Sequence, residues 1–437
     1  MPTNRDAVIE IFTAALKSVD PYEAVTGRAS DIAETCRVGK YEKLYVLSFG
    51  KAAFAMTQAL IDRIGELITD GVAITKYGHA DSLTGNTVRV FEAGHPIPDE
   101  NGYRATGEAL NLLNRSDERT LVLCLISGGG SSLFVAPYPG ISLQDKQNTT
   151  SLLLTSGADI YEMNTVRKHI SLVKGGRLAA IAYPSRVESL VLSDVPGDRL
   201  DVIASGPMVP DGTTFGDALD VVEKYRIGHD IPARVLEVLR SGAEGLIPET
   251  PKSGDAVFQT VNSSIVGNNT KAVLAAKDKA MQLGFEVRVT DTAVHGEARD
   301  VGVRLAREAL TTKTSRHVRD SRPVCLISGG ETTVTVQGRG MGGRNMELAL
   351  AFAIEVIGEN GITFLSAGTD GGDGPTDAAG AIVDGQSVAK GLAVDIDAKK
   401  YLQGNDSYSY FAKTNDLLIT GPTGTNVMDL QITLLRE

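Results

Sequence analysis

A chain of 437 residues exceeds what one hydrophobic core usually supports, so two domains are expected, each burying a sizeable interior. Hydrophobic residues at 42% and charged residues at 22% describe an ordinary folded protein, and a formal charge of −11 argues against non-specific binding to nucleic acid or to an anionic membrane. An anionic ligand must therefore meet basic residues gathered locally.

The first segment, MPTNRDAVIEIFTAAL, lacks a charged-then-apolar signal design and spaces Val8, Ile9, Phe12 and Leu16 along one helical face, as the first helix of a cytoplasmic protein would. Strand KLYVLSF (43–49) then runs into the helix pattern KAAFAMTQALIDRI, with Gly50 and Lys51 at the junction. An ammonium there adds a full charge to the partial positive charge of a helix start, which suits a carboxylate or phosphate. An ordinary surface lysine is the plainer alternative.

Strands GVAITK and VRVFEAG and a helix GYRATGEALNLLN lead to LCLISGGGSSLFV (123–135). There a buried strand meets a turn of Ser127, Gly128, Gly129, Gly130, Ser131 and Ser132, where backbone amides can gather around an anion. The stretch MNTVRKHISLVKGGRLAAIA follows, with Arg167, Lys168, Lys174 and Arg177. Lys174 and Arg177 are three apart and can share a helical face, unless the run is merely a solvated basic surface. Asp194 and Asp198 close the strand LVLSDVPGD, where an α/β sheet presents catalytic groups, although Asp-Val-Pro-Gly-Asp is equally a turn former. His95, in GHPIPD, reads as shaping a turn.

Gly- and Pro-rich SGAEGLIPETPKSGD (241–255) reads as the crossing between domains 1–245 and 255–437. The second block repeats the alternation of helix and strand, which predicts parallel sheets with crossover helices throughout. It also repeats the motif: VCLISGGETTVTV (324–336) offers Ser328, Gly329, Gly330, Glu331, Thr332 and Thr333. Two such turns suggest one ligand held from two sides; the plainer reading is that the second only packs its domain.

GRGMGGRN (338–345) formally matches G-x-G-x-x-G after a strand-like TVTVQ, but no acidic residue closes the following strand ITFLSAG, as dinucleotide binding expects. Arg344 and Asn345 open the next helix, and the planar fork of Arg344 suits a phosphoryl group or a carboxylate. Asp370 and Asp373, in GTDGGDGPTDAAG, are oxygen ligands for magnesium carried by a nucleotide, or plain turn residues. The closing DLQITLLRE alternates like a strand, and periodicity leaves open whether it returns to the first domain. Cys124 and Cys325 lie inside the repeated strands as small hydrophobes, so a disulfide framework is not expected.

Taken in order along nearly the whole chain, SFGKAA, GHPIPD, LISGGGSSL, NTVRKHISLVKGGRLA, LSDVPGD, ASGPMVPD, GGRNMELAL, SAGTDGGDGPTDAAGA and GPTGTNVMDL closely resemble the glycerate 2-kinase family, whose carboxy-terminal part is the MOFRL domain. The resemblance implies a larger Rossmann-like, doubly wound amino-terminal domain and a smaller α/β carboxy-terminal one, with MOFRL at about 322–430 and the active site in an interdomain cleft. It implies transfer of a phosphoryl group from ATP, with Mg2+ or another divalent cation, to the 2-hydroxyl of D-glycerate, giving 2-phosphoglycerate and ADP. The family's lysine and arginine match Lys51 and Arg344. On that basis Lys51 contacts glycerate or the transferring phosphate, Arg344 stabilises charge, Asp194 orients or deprotonates the hydroxyl, and the two LISGG turns cradle opposite ends of the reactants. Members have also been labelled hydroxypyruvate reductases, which keeps NAD(P)H-dependent reduction as the alternative. Oligomeric state stays open.

Overall fold

A computed structural model describes residues 3–80, 87–315 and 322–436. The chain forms two compact units, one of residues 21–266 and the other of residues 1–20 with 267–437. The crossings therefore fall at Asp20/Pro21 and Val266/Gly267 rather than at 241–255. Residues 241–255 belong to the first-described unit because their polar groups are satisfied there: Thr250 Oγ1 donates to Asp211 Oδ2 (3.0 Å), and Glu249 Oε1 accepts from the Phe215 amide (2.8 Å).

The unit of 21–266 is built on a sheet ordered β3-β2-β1-β4-β5-β6, with β1 Lys43–Phe49, β2 Asp70–Lys76, β3 Val88–Ala93, β4 Thr120–Ile126, β5 Arg186–Leu192 and β6 Val261–Gly267. Strands β1 to β5 pair in parallel. Every residue of β4 and all but the first of β1 are buried, as unbroken apolar runs covered on both faces require. Chain order reverses between β1 and β4, so ligands are expected outside the carboxyl ends of those two strands. Phe49 and Phe134 stack there, ring centroids 4.4 Å apart, and fix the floor of that edge.

In the other unit the sheet runs β11-β10-β9-β12-β8-β7, with β7 Glu286–Val294, β8 Val324–Gly330, β9 Ile362–Gly368, β10 Gly380–Asp384, β11 Leu417–Leu418 and β12 Asp429–Leu435. Only β7 and β8 pair in parallel; the pairs of β12 with β8 and β9, and of β10 with β9 and β11, are antiparallel. The parallel expectation thus holds for β1 to β5 and not for the second sheet, where the closing strand DLQITLL inserts antiparallel between β8 and β9 and β10 runs antiparallel to β9. The first helix, Asn4–Ser18, joins this unit, capped by Thr3 and Asp6 and packed on the helix Asn269–Gln282. Its buried face is Val8, Ile11, Phe12 and Ala15, so Ile9 turns outward. Cys124 and Cys325 are buried and unbridged, and burial pushes both thiols up. Among the described residues no helix is long and apolar enough to cross a membrane.

Candidate active site

Three segments meet at the carboxyl edge of the parallel sheet. Gly50 leaves β1 with φ of +127°, and a Cβ there would lie 2.2 Å from Ser127 Oγ, so only glycine fits. The Lys51 amide donates to Gly128 O (2.8 Å), the Ala52 amide to Ser127 Oγ (3.0 Å) and the Ser127 amide to Phe49 O (3.1 Å). These bonds fasten the turn after β4 onto the turn after β1. Gly129, at φ +79°, lets two side chains approach: a Cβ would lie 2.8 Å from the His95 ring and 3.3 Å from Lys51 Cγ. Gly128 does the same for Asp194, whose Oδ2 would lie 2.3 Å from its Cβ.

Lys51, His95, Gly128, Gly129 and Asp194 are therefore neighbours, drawn from the ends of β1, β3, β4 and β5. Burial raises the Asp194 carboxyl, and the Lys51 charge opposes that rise. Burial, helped by the charges of Lys51 and Lys76, holds His95 down to about 4, so its imidazole is neutral at ordinary pH. His95, read from sequence as a turn former, lines the site; the glycines opposite were the signal that something bulky comes close.

The remaining predicted residues of this unit fall into two groups. Ser131 Oγ lies 2.6 Å from Ser205 Oγ, Ser132 Oγ donates to Gly129 O (3.1 Å), and Gly130 packs against Phe49. Lys174 is buried with its ammonium near Phe134 O and Ala204 O (3.5 and 3.4 Å). Arg177 goes elsewhere: its guanidinium stacks over Tyr138 at 5.4 Å and donates to Pro248 O (3.3 Å). The two do not share a helical face because Gly175 and Gly176 take positive φ and the helix begins only at Arg177. Lys168 pairs with Asp211 at 3.1 Å, and Asp198 sits on the turn after β5 with φ of +54°.

In the other unit the second LISGG is not a turn. Ser328, Gly329 and Gly330 continue β8, in register with Gln431, Leu430 and Asp429 of β12. The first copy turns because no strand pairs with it beyond Ile126; the second is held extended by an antiparallel neighbour. Its glycines serve close packing: a Cβ on Gly329 would lie 2.0 Å from Asn269 Oδ1, and one on Gly330 2.3 Å from Val294 O. Ser328 Oγ donates to Gln431 Oε1 (3.1 Å), and Thr332 is buried.

Arg344 opens the helix Arg344–Glu355 and grips Asp429, with Nε and Nη2 at 2.5 and 2.7 Å from its two oxygens; Nη1 lies 3.0 Å from Glu331. Burial opposes charge on the guanidinium, but the Asp429 bonds outweigh it and Arg344 stays ionised. Asp373 caps the same helix, accepting from the amides of Asn345 (3.0 Å) and Met346 (2.8 Å), while Asn345 Oδ1 accepts from Ser366 Oγ (2.6 Å). Asp370 accepts from the Gly372 amide (3.1 Å) and lies in the field of Asp429. Sequence reasoning missed Asp429; a lone carboxylate heading an otherwise uncharged strand was its signal.

The G-x-G-x-x-G match dissolves. Residues 331–343 form no strand, and the amides of Gln337 and Gly338 donate to Asn405 Oδ1 (2.8 Å each). Gly338 and Gly340 are small so that this loop can lie against Gly404 and Asp406. It packs against the 404–406 segment of its own domain.

A lysine, a glycine turn and a carboxylate at the switch point of a doubly wound sheet define an α/β protein that handles a small anion. Comparison with known proteins narrows the class. The model of a domain of unknown function, DUF4147, matches residues 7–240, and that of the MOFRL family matches residues 324–429. The chain is 45% identical over 428 residues to the D-glycerate 2-kinase of Thermotoga maritima, covering 98% of this chain and 97% of that protein. It is 42% identical over 438 residues to the glycerate 2-kinase of Pyrococcus horikoshii, covering 99% and 97%. The crystal structure of glycerate kinase from Thermotoga maritima superposes with a TM-score of 0.87 at 44% identity, covering 98% of this chain and 99% of that one. The chain belongs to the glycerate 2-kinase family, with its MOFRL domain at the carboxy-terminal end.

Proposed function

We propose that this chain transfers the γ-phosphoryl group of ATP to the 2-hydroxyl of D-glycerate, giving 2-phospho-D-glycerate and ADP. The observation that carries the reading is full-length kinship with glycerate 2-kinases, coupled to a lysine and a carboxylate set side by side on a glycine turn at the parallel sheet's switch point.

In the reaction the glycerate O2–phosphorus bond forms, the bond from Pγ to the β–γ bridging oxygen breaks, and the hydroxyl proton leaves for a base. Phosphoryl transfer asks little covalent help and much positioning and charge dispersal. Lys51 supplies positive charge to the substrate or to the transferring group. Asp194, raised by burial and adjacent to Lys51, orients the 2-hydroxyl and accepts its proton. Arg344, kept ionised, stabilises charge on the phosphoryl oxygens as they separate from ADP. The amides and hydroxyls of the 127–132 turn bind the reactants' oxygens.

No group of three or more His, Cys, Asp or Glu side chains among the described residues gathers as a metal site. Magnesium arriving on a nucleotide commonly takes one or two carboxylates plus substrate phosphates. Asp370 is the carboxylate we assign to it. Asp373, with both oxygens engaged in capping the helix, is the weaker partner. When bound, the cation neutralises charge on the β- and γ-phosphates.

The test is direct: the full chain with D-glycerate and magnesium-ATP, the product identified by phosphorus NMR against authentic 2- and 3-phosphoglycerate. Formation of the 2-isomer with stoichiometric ADP is expected. NADH oxidation with hydroxypyruvate, without phosphoglycerate formation from ATP, would replace this reading by the reductase.

A further inference from the structure

The unit of 21–266 buries a basic cluster that its own fold does not neutralise. Lys146, on the helix Leu143–Thr155, is 3% exposed, and Lys174 is 1% exposed. Arg167, on the helix Ile160–His169, is half-buried beside them. The Arg167 charge disfavours ionisation of both lysines, and Lys146 disfavours that of Lys174, so the three share one field. Lys146 Nζ and Arg167 Nε have no hydrogen-bond partner, and among the described residues no carboxylate lies within ion-pair distance of any of the three. The neighbouring Lys168 shows the usual solution, an ion pair with buried Asp211.

Burying an unpaired cation is costly, and two buried lysines beside a half-buried arginine, with no carboxylate in reach among the described residues, favour an anion among them. Polar groups line the same place. Ser205 Oγ donates to Asn164 Oδ1 (2.8 Å) and lies 2.6 Å from Ser131 Oγ, while Asn164 and Arg167 stand three apart on one helix. Ala204 and Ser205 both hold left-handed φ of +51° and +62°, a strained pair that brings the Ala204 carbonyl to Lys174 and the Ser205 hydroxyl to Ser131. Through Ser131 the cluster joins the glycine turn of residues 127–132, which is fastened to the turn that carries Lys51.

We propose that Lys146, Arg167 and Lys174 form an oxyanion subsite that takes a carboxylate or phosphate group of the reactants. The proposal rests on the kinase reading for which reactant supplies that group, and not for the existence of the subsite. Burial pulls Lys146 down to about 7 and lowers Lys174 as well, which reduces the cost of keeping the two lysines inside.

Thermal unfolding and equilibrium binding of the full chain, measured with inorganic phosphate, D-glycerate and ATP separately, test this. The wild type should gain stability with inorganic phosphate. Lys146→Met should unfold at a higher temperature than wild type in anion-free buffer, having lost an unpaired buried ammonium, yet lose the phosphate-induced gain. Its affinity for one reactant should fall about ten- to a hundred-fold, as for a lost charge-assisted hydrogen bond. Loss confined to D-glycerate identifies the carboxylate as occupant, and loss confined to ATP identifies a phosphate. Arg167→Gln, at a half-buried position, should show the same loss and covers the case in which the lysine variant does not fold. Unchanged response to all three anions in Arg167→Gln, or in a folded Lys146→Met, overturns the subsite. A wild type that binds phosphate at the cluster but never phosphorylates D-glycerate would instead remove the kinase reading.

Discussion

Arg344 and Asp429 form a two-pronged ion pair, with both carboxylate oxygens 2.5 and 2.7 Å from Nε and Nη2, while Nη1 alone reaches the more exposed Glu331 at 3.0 Å. The fork is thus anchored on one edge by a buried residue and held on the other by an exchangeable one. A phosphoryl oxygen could displace Glu331 without disturbing Asp429, since side-chain exposure is 41% for the glutamate and 1% for the aspartate.

The first prediction follows from that division. Arg344→Ala should lower kcat by about 10³–10⁵-fold, the range for an arginine that stabilises a phosphoryl-transfer transition state. It also leaves Asp429 buried and unpaired, a loss of about 3–5 kcal/mol. Arg344→Ala combined with Asp429→Asn should recover much of that stability and none of the turnover. Near-normal turnover in a folded Arg344→Ala protein would take this residue out of the mechanism.

Lys51 and Arg344 come from different units, and the function proposed above assigns both to the transferring phosphoryl group. Lys51→Met should reduce kcat/KM by several orders of magnitude, and the double variant with Arg344→Ala should be far from additive, because groups acting as a unit fail together. Fully additive losses across the cycle would mean the two cations serve separate events.

How far the sequence discloses this arrangement depends on which interactions are local. The parallel sheet, Lys51 at the β1 edge and the turn 127–130 could be read because burial on both faces and positive φ leave marks in adjacent residues. The second LISGG could not be told from the first, since the difference is made by β12, about a hundred residues later in the chain, which pairs with it to Gly330. Lys146 sits in LQDKQNTT, which looks like a solvated helix, and only the neighbouring helices bury it. The first helix reads correctly as amphipathic, but nothing within it reveals that its partner lies at 269–282.

Gly50→Ala tests how far the site depends on contact between its two turns. The added Cβ would meet Ser127 Oγ at 2.2 Å and Ser127 O at 2.5 Å, at a φ of +127° that an L side chain rarely adopts. A loss of about 1–3 kcal/mol is expected from strain of this kind, together with reduced kcat, since Lys51 is the next residue. Unaltered stability and activity would show that the turn tolerates re-routing and does not position the lysine.

Asp194→Asn keeps the shape of the side chain and removes the base. A loss of about 10²–10⁴-fold is the usual range for general-base removal. The effect should fall below that of Arg344→Ala, because a loose transition state transfers the hydroxyl proton late. Since burial raises the Asp194 carboxyl above its ordinary value, the acid limb of kcat/KM in the wild type should lie above the free-aspartate range and vanish in the asparagine variant. An identical acid limb in both proteins would assign it to another group.

His95 gives a prediction about stability against pH. Its folded-state value, about 4, lies below the ordinary 6.5, first because burial disfavours the imidazolium and then because Lys51 and Lys76 repel it. The unfolded chain therefore binds a proton more readily than the folded one between those two values. The corresponding stability is fully present above about pH 6.5 and is lost as pH falls towards 4. His95→Gln, which cannot charge, should flatten that part of the profile in urea unfolding, and the wild-type imidazole should titrate by NMR far below a free histidine. An NMR midpoint near 6.5 would mean the ring is solvated and does not rest on Gly129 beside Lys51.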